Sequence, residues 1–388
     1  MKAFTAKQLM GPQGIVERPV MLVDQGKIAD VFSIDTRPLA AGVAPTDLGG
    51  ATIVPGSIDL HIHGSAGFDV MDDTAESLPA IEQFLARHGV TSYCPTTVTA
   101  PLDKTLRALE RLANAIEKGQ PQTQDAAGRA RPVGIHLEGP FISHARRGVH
   151  PSEHLLPPTL QTFERFWNAA RGNIRVITIA PELQGAIEVI AAASQRGVCV
   201  SLGHTDADTE SALRGIEAGA RHATHTFNAM RPLHHRGSGI LGTVLTDDRV
   251  SADIIADGVH LDPAIVKLIA QAKGPERTVL ITDATAATGM PEGQFRLGDM
   301  DVEVRGGVAT ANGVIAGSIL TMDQAVRNLA SFAGWSVPQA AAAASRNPAR
   351  VLGLKNKGQL IPGADADFVA LSATGKVLHT FIAGQECS

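Results

Sequence analysis

Apolar residues in the middle of this chain fall into two alternating patterns. Short apolar runs of strand length lie near 57–63, 90–97, 132–138, 174–180, 198–204, 221–225, 250–257 and 278–283. Stretches with helical spacing stand between them, among them Ser77 to Arg87, Leu102 to Lys118, Leu183 to Gln195 and Pro263 to Ala272. A strand-then-helix rhythm predicts a parallel sheet with crossover helices. Eight strands in about 300 residues predict a (β/α)8 TIM-like barrel, with a doubly wound sheet as the alternative.

The ends of the chain have another texture. Ile15 to Asp24 and Lys27 to Phe32 read as strands around a turn at Gln25-Gly26, and Ala366 to Leu371 and Val377 to Ile382 repeat that pattern near the C-terminus. These segments are expected to pair into a small β-sandwich. The organisation is then 1–53 and 354–388 as the two parts of the sandwich, and 54–353 as the barrel. The run Ala340 to Ala344 follows Pro338 as a helix start and predicts a buried helix.

Composition narrows the class. Hydrophobic residues make up 44% of the 388, enough for a substantial core. Aromatics are only 4%, with Tyr93 the single tyrosine, which argues against a stacking platform for single-stranded nucleic acid. The net charge of −5 offers no global basic surface for nucleic acid or anionic lipid, although a few arginines suffice for a phosphate. Cys94, Cys199 and Cys387 are too few and too scattered for a disulfide framework or a zinc knuckle, and fit a reducing cytoplasm. The N-terminal residues lack a signal-peptide pattern, and no apolar run reaches the length of a membrane span.

The chemistry-bearing residues gather at predicted strand ends, where barrel enzymes place their sites. His61-Ile62-His63 puts two imidazoles on one face of a strand end, as a rigid metal site requires, unless two histidines merely flank a glycine turn. Glu138, in His136-Leu137-Glu138-Gly139-Pro140-Phe141, ends the third strand. A buried carboxylate needs a cation, either a metal or an arginine such as Arg146 or Arg147. His204 ends the fifth strand in Ser201 to Thr205, and His225 the sixth in Thr224 to Met230. Each histidine alone is an ordinary core or surface residue. One carboxylate and two histidines on nearby strand ends match an open catalytic zinc site. Asp283 ends the last strand, where it can take a proton from water and return it to a leaving group; otherwise it is an N-cap. Asp257 and His260 add a polar pair at the same rim. Gly237 to Gly242 fits Gly-x-Gly-x-x-Gly, but it follows the polar His234-His235-Arg236 and not a buried strand, so a flexible active-site loop is expected. Neither a Gly-Lys-Ser/Thr phosphate loop nor a Gly-x-Ser-x-Gly elbow occurs.

Taken together, the segments from Pro55-Gly56 to Gly64, His136 to Phe141, Gly203-His204-Thr205, His225 to Met230, Asp257 to His260, Thr282-Asp283-Ala284 and Pro362 to Asp367 resemble the amidohydrolase superfamily, and within it the deacetylases of amino-sugar phosphates. The resemblance implies metal-dependent hydrolysis of the acetamide of N-acetylglucosamine 6-phosphate. The galactosamine epimer is the alternative substrate, and a catalytically inactive scaffold the distant one. It implies that Glu138, His204 and His225 hold a divalent metal, zinc in the first instance and iron or manganese otherwise, with a second metal at His61 and His63 bridged by Glu138. Asp283 corresponds to the general base and acid, and His150 to the residue that polarises the acetyl carbonyl. Val149, Asn228, Ala229, Arg236, Asp257, His260, Ile315, Ala316 and Gly317 correspond to substrate contacts, Arg236 reading the phosphate. A homodimer is implied as well. Thr226 and Gly237-Ser238 depart from the usual pattern, and the fourth strand, Val176 to Glu182, ends without the lysine of carbamate-bridged relatives.

Overall fold

A computed structural model describes residues 1–40, 42–118 and 128–387. Eight parallel strands form its centre: β1 (Ser57–Ile62), β2 (Val90–Thr97), β3 (Ile135–Glu138), β4 (Ile174–Ile179), β5 (Cys199–Leu202), β6 (His222–Ala223), β7 (Ser251–Ile255) and β8 (Thr278–Ile281). They pair in chain order. The ring closes at its C-terminal end, where the Asp283 N–H donates to the His61 carbonyl at 2.9 Å and the His63 N–H to the Ala284 carbonyl at 2.8 Å. Asp59 in β1 reinforces that seam, accepting from the Thr282 hydroxyl at 2.5 Å.

Several strands are shorter than their apolar runs. The chain leaves the extended conformation at the residues that carry the chemistry: φ is +46° at His204, +29° at His225 and +51° at Asp283. A positive φ is unfavourable for residues with a Cβ and tends to cluster at functional sites. Helices lie outside the strands. Leu102–Lys118 buries Thr105, Ala108, Leu109, Leu112 and Ala113, one stripe at helical spacing. The helix expected from Leu183 begins at Ala186, because Gly185 takes φ +87°, and the one expected to end at Ala272 runs to Arg277 across a kink at Gly274. The alanine run forms the helix Val337–Ala344 with a Ser336/Gln339 capping box, and Ala340 to Ala344 are buried.

Both chain ends meet in one sheet, and a second sheet of N-terminal strands packs against it. One orders Gln385–Glu386, Val377–Ile382, Phe368–Leu371, Thr52–Pro55, Gln8–Gly11 and Gly14–Glu17. The other orders Lys27–Ser33, Pro19–Asp24, Lys2–Thr5 and Thr46–Asp47. Phe4 of the second sheet packs edge-on against Phe368 and Phe381 of the first, within one shared core. The expected single strand from Ile15 to Asp24 is in fact two strands in different sheets, split at Arg18 with φ +46°.

Two further expectations change. Gly237 to Gly242 is not a loop throughout: Gly239–Thr246 is a helix that buries Ile240 and Leu241, so the loop ends at Ser238. After β8 comes an antiparallel sheet, Gly293–Leu297, Met300–Arg305, Val308–Ala311 and Val314–Ile315, outside the strand-helix rhythm. Its alternation is visible in Met300–Arg305, where Val302 and Val304 are buried while Asp301, Glu303 and Arg305 are exposed. No helix among the described residues is long and apolar enough to cross a membrane.

Candidate metal centre

Glu138 is the hub of the strand-end cluster. Its Oε1 lies 3.2 Å from His204 Nε2 and 3.1 Å from His225 Nε2. Its Oε2 lies 3.4 Å from His61 Nε2 and 3.3 Å from His63 Nε2. Two overlapping groups able to hold a metal result, His61/His63/Glu138 and Glu138/His204/His225, all buried. Asp283 Oδ1 adjoins the first group, 3.2 Å from His63 Nε2 and 3.4 Å from His61 Nε2. Glu138 therefore faces imidazoles and not the arginines its burial also allowed. Arg146 instead pairs with Asp206 at 2.7 Å.

The hydrogen bonds behind the rings test whether a cation fits. His204 places Nδ1 2.9 Å from the Arg146 carbonyl, His225 3.1 Å from the Asn228 carbonyl, and His63 3.0 Å from the Thr96 carbonyl. A carbonyl only accepts, so each Nδ1 bears the proton and each Nε2 turns its lone pair inward. Two such lone pairs, on His204 and His225, stand 3.1 Å apart beside a carboxylate oxygen. Acceptors this close repel unless a positive charge lies among them, and the donor set fits a divalent cation.

The electrostatics agree. Burial opposes a charged His225, but Glu138, Asp283 and Asp253 outweigh it and lift the imidazole to about 9, so without a cation in the centre a proton would take up the Nε2 lone pair in its place. Burial dominates at His204 and holds it at about 4. Burial also disfavours an ionised Glu138, yet the surrounding histidines bring its carboxyl well below the usual range. The cluster is a buried anionic centre that attracts positive charge. Asp253 supports it from behind β6, accepting from the His225 N–H and lying 3.1 Å from His222 Nε2.

A cavity of about 390 Å³ opens over the cluster. The structure brings His63, Glu138, Val149, His150, His204, His225, Asn228, Ala229, His260, Asp283, Ile315 and Gly317 to its wall. His61 is wholly buried behind it. Asp257 stands behind His260 and receives its Nδ1 at 2.7 Å. Ala316 is buried against the added sheet, its N–H on the Ala309 carbonyl. Arg236 is not brought to the wall; it is exposed on the rim loop before the helix Gly239–Thr246. Arg146, expected only as a partner for Glu138, also lines the cavity, as do Ala145, Gly148, Leu297 and Val314, which the sequence did not single out. Leu297 and Val314 come from the unforeseen sheet, whose alternation was the available signal.

A parallel barrel whose strand ends turn histidine Nε2 atoms towards a shared carboxylate is the architecture of a metal-dependent hydrolase. The pattern of the amidohydrolase family matches residues 52–387, and the chain belongs to that family. It is similar to the N-acetylglucosamine-6-phosphate deacetylase of Bos taurus, with 40% identity over 96% of this chain and 92% of the relative. It is also similar to the N-acetylgalactosamine-6-phosphate deacetylase of Escherichia coli O157:H7, with 37% identity over 99% and 98%. Among solved structures it resembles a mutant N-acetyl-D-glucosamine-6-phosphate deacetylase from Mycobacterium smegmatis in complex with N-acetyl-D-glucosamine-6-phosphate. The TM-score there is 0.91 at 35% identity, covering 100% of this chain and 99% of that one.

Proposed function

We propose that the chain hydrolyses the acetamide of N-acetylglucosamine 6-phosphate to glucosamine 6-phosphate and acetate. The observation that carries this reading is the Asp283 carboxylate on the wall of a cavity shared with Glu138, His204, His225 and His150, in a chain matched end to end by deacetylases. Glu138, His204 and His225 would hold the principal divalent metal, zinc by our reading, although the same donors accept iron or manganese. His61, His63 and the second oxygen of Glu138 would hold another. When bound, such a metal supplies Lewis acidity and an acidified water at neutral pH.

The remaining work falls to the protein's own side chains. Burial would raise the Asp283 pKa, but His61 and His63 outweigh it and hold the carboxyl well below the usual range. Asp283 therefore starts as a base. It takes a proton from the attacking water and gives it to the amine nitrogen as the C–N bond breaks. Its backbone is pinned on both sides, N–H to the His61 carbonyl and carbonyl to the Ser318 N–H, so the carboxylate keeps its aim. His150, with Nε2 3.6 Å from Glu138 Oε2, is our assignment for polarising the acetyl carbonyl. Val149, Asn228, Ala229, His260, Ile315 and Gly317 surround the sugar in this proposal, with Asp257 and Ala316 supporting them. Arg236 is the phosphate handle from the rim. The resemblance extends the proposal to a cytoplasmic homodimer, which a monomeric mass in sedimentation equilibrium would remove.

Acetate release tests the reading. Wild type is expected to turn over the glucosamine substrate faster than its galactosamine epimer. Asp283→Asn should lower kcat by about 10²–10⁴-fold with metal content retained. Arg236→Ala should raise KM for the phosphorylated sugar and leave unphosphorylated N-acetylglucosamine unaffected. Faster turnover of the galactosamine epimer would transfer the assignment to that substrate, and near wild-type kcat in Asp283→Asn would remove the base.

A further inference from the structure

We infer that Thr99, just beyond the C-terminal end of β2, is a positioning residue that sets the tautomer of His150 and makes it a hydrogen-bond donor to the cavity instead of a metal ligand. The catalytic meaning of this rests on the deacetylase reading above; the tautomer itself does not.

A neutral imidazole carries one proton, and the partner of one nitrogen decides which nitrogen has it. His63, His204 and His225 each back Nδ1 onto a carbonyl. His150 is built the other way round. Its Nδ1 accepts from the Thr99 backbone N–H at 3.3 Å and lies 2.8 Å from the Thr99 hydroxyl. An N–H can only donate, so Nδ1 holds the lone pair. The hydroxyl, free to turn, donates to it as well. The proton of the neutral ring then sits on Nε2, the nitrogen that faces Glu138 Oε2 at 3.6 Å.

The contact is sheltered and deliberately accommodated by the backbone. Thr99 is 3% exposed and His150 5%. Gly139, next to the hub carboxylate, has φ +73°, and a Cβ there would lie 2.2 Å from Thr99 Oγ1 and 3.5 Å from His150 Nδ1. Only glycine lets the threonine and the histidine meet over that turn. The contrast with His260 is informative: its Nδ1 donates to the Asp257 carboxylate, so that ring keeps its proton on Nδ1. His150 meets a neutral donor pair instead. An N–H aimed at a carbonyl oxygen stabilises the negative charge that develops on attack, whereas a lone pair there would repel it and compete for the metal.

Nitrogen NMR of the zinc-loaded holoenzyme, labelled with ¹⁵N at histidine, tests the tautomer directly. The His150 signals are those lost in His150→Gln. Expected are an unprotonated Nδ1 and a protonated Nε2; a proton on Nδ1 would overturn the inference. Kinetics test the role. Thr99→Val should lower kcat roughly tenfold, the scale of one lost hydrogen bond, with KM and metal content little changed, and Thr99→Ser should restore it. Wild-type kcat in Thr99→Val would overturn the positioning role. Absence of acetate release from either epimer by the wild type would refute the deacetylase reading, while the NMR result would still decide the tautomer.

Discussion

Glu138 turns one oxygen towards His204 and His225 and the other towards His61 and His63, and the two pairs are held differently. In the β5/β6 half, both rings back Nδ1 onto carbonyls, from Arg146 and Asn228, and Asp253 grips the His225 backbone. In the β1 half, His63 is anchored on the Thr96 carbonyl, but His61 Nδ1 is buried with no hydrogen-bond partner among the described residues. In the first half both Nδ1 protons have a fixed acceptor, which leaves Nε2 of each ring as the nitrogen that faces the centre. The second has one ring whose proton no neighbour assigns, and it also shares its space with Asp283. Ligand preorganisation of this kind raises metal affinity, so the β5/β6 half should hold its metal more tightly.

The largest effect is expected from His225→Gln. It removes a proposed ligand from the better-built half, and metal analysis after dialysis should find that half empty and acetate release abolished. Retention of wild-type metal content and activity would break the comparison. Asp253→Asn comes next. It keeps the size but removes the charge behind His225, and chelator competition should show metal affinity weakened roughly tenfold or more. An unchanged affinity would mean the grip on β6 is packing alone. The smallest effect on metal content is expected from His61→Gln combined with His63→Asn, which should leave the tightly held equivalent in place. If that double variant empties the site as completely as His225→Gln does, the ranking of the halves is reversed.

The strand ends were legible because barrel strands alternate regularly and end on polar residues. The apolar runs therefore indicated where His61, His63, Glu138, His204, His225 and Asp283 would stand. The sheet from Gly293 to Ile315 was missed because its strands are short and half exposed, so no continuous apolar run announces it. Arg18 and Gln25 both lie at positive φ, yet only Gln25 sits beside a glycine that advertises a turn, so the break at Arg18 went unread. The glycines of Gly237 to Gly242 read as a flexible loop, but Gly239 starts a helix whose following residues are buried.

By itself, the sequence determined the class of the protein: the eight-strand rhythm, the residue types at the strand ends and a motif set specific enough to indicate a deacetylase. Pattern suffices there, because side-chain alternation and helix spacing are properties of the local backbone. Only the tertiary structure decided which group stands behind each of four of these rings. Thr96, Thr99, Arg146 and Asn228 supply the carbonyls and the N–H that assign His63, His150, His204 and His225 their protons, and of these Thr96, Thr99 and Arg146 come from other strand-end segments than the ring they serve. A tautomer is set by whichever group lies behind the ring, and for all but His225 here that neighbour exists only once the barrel has closed.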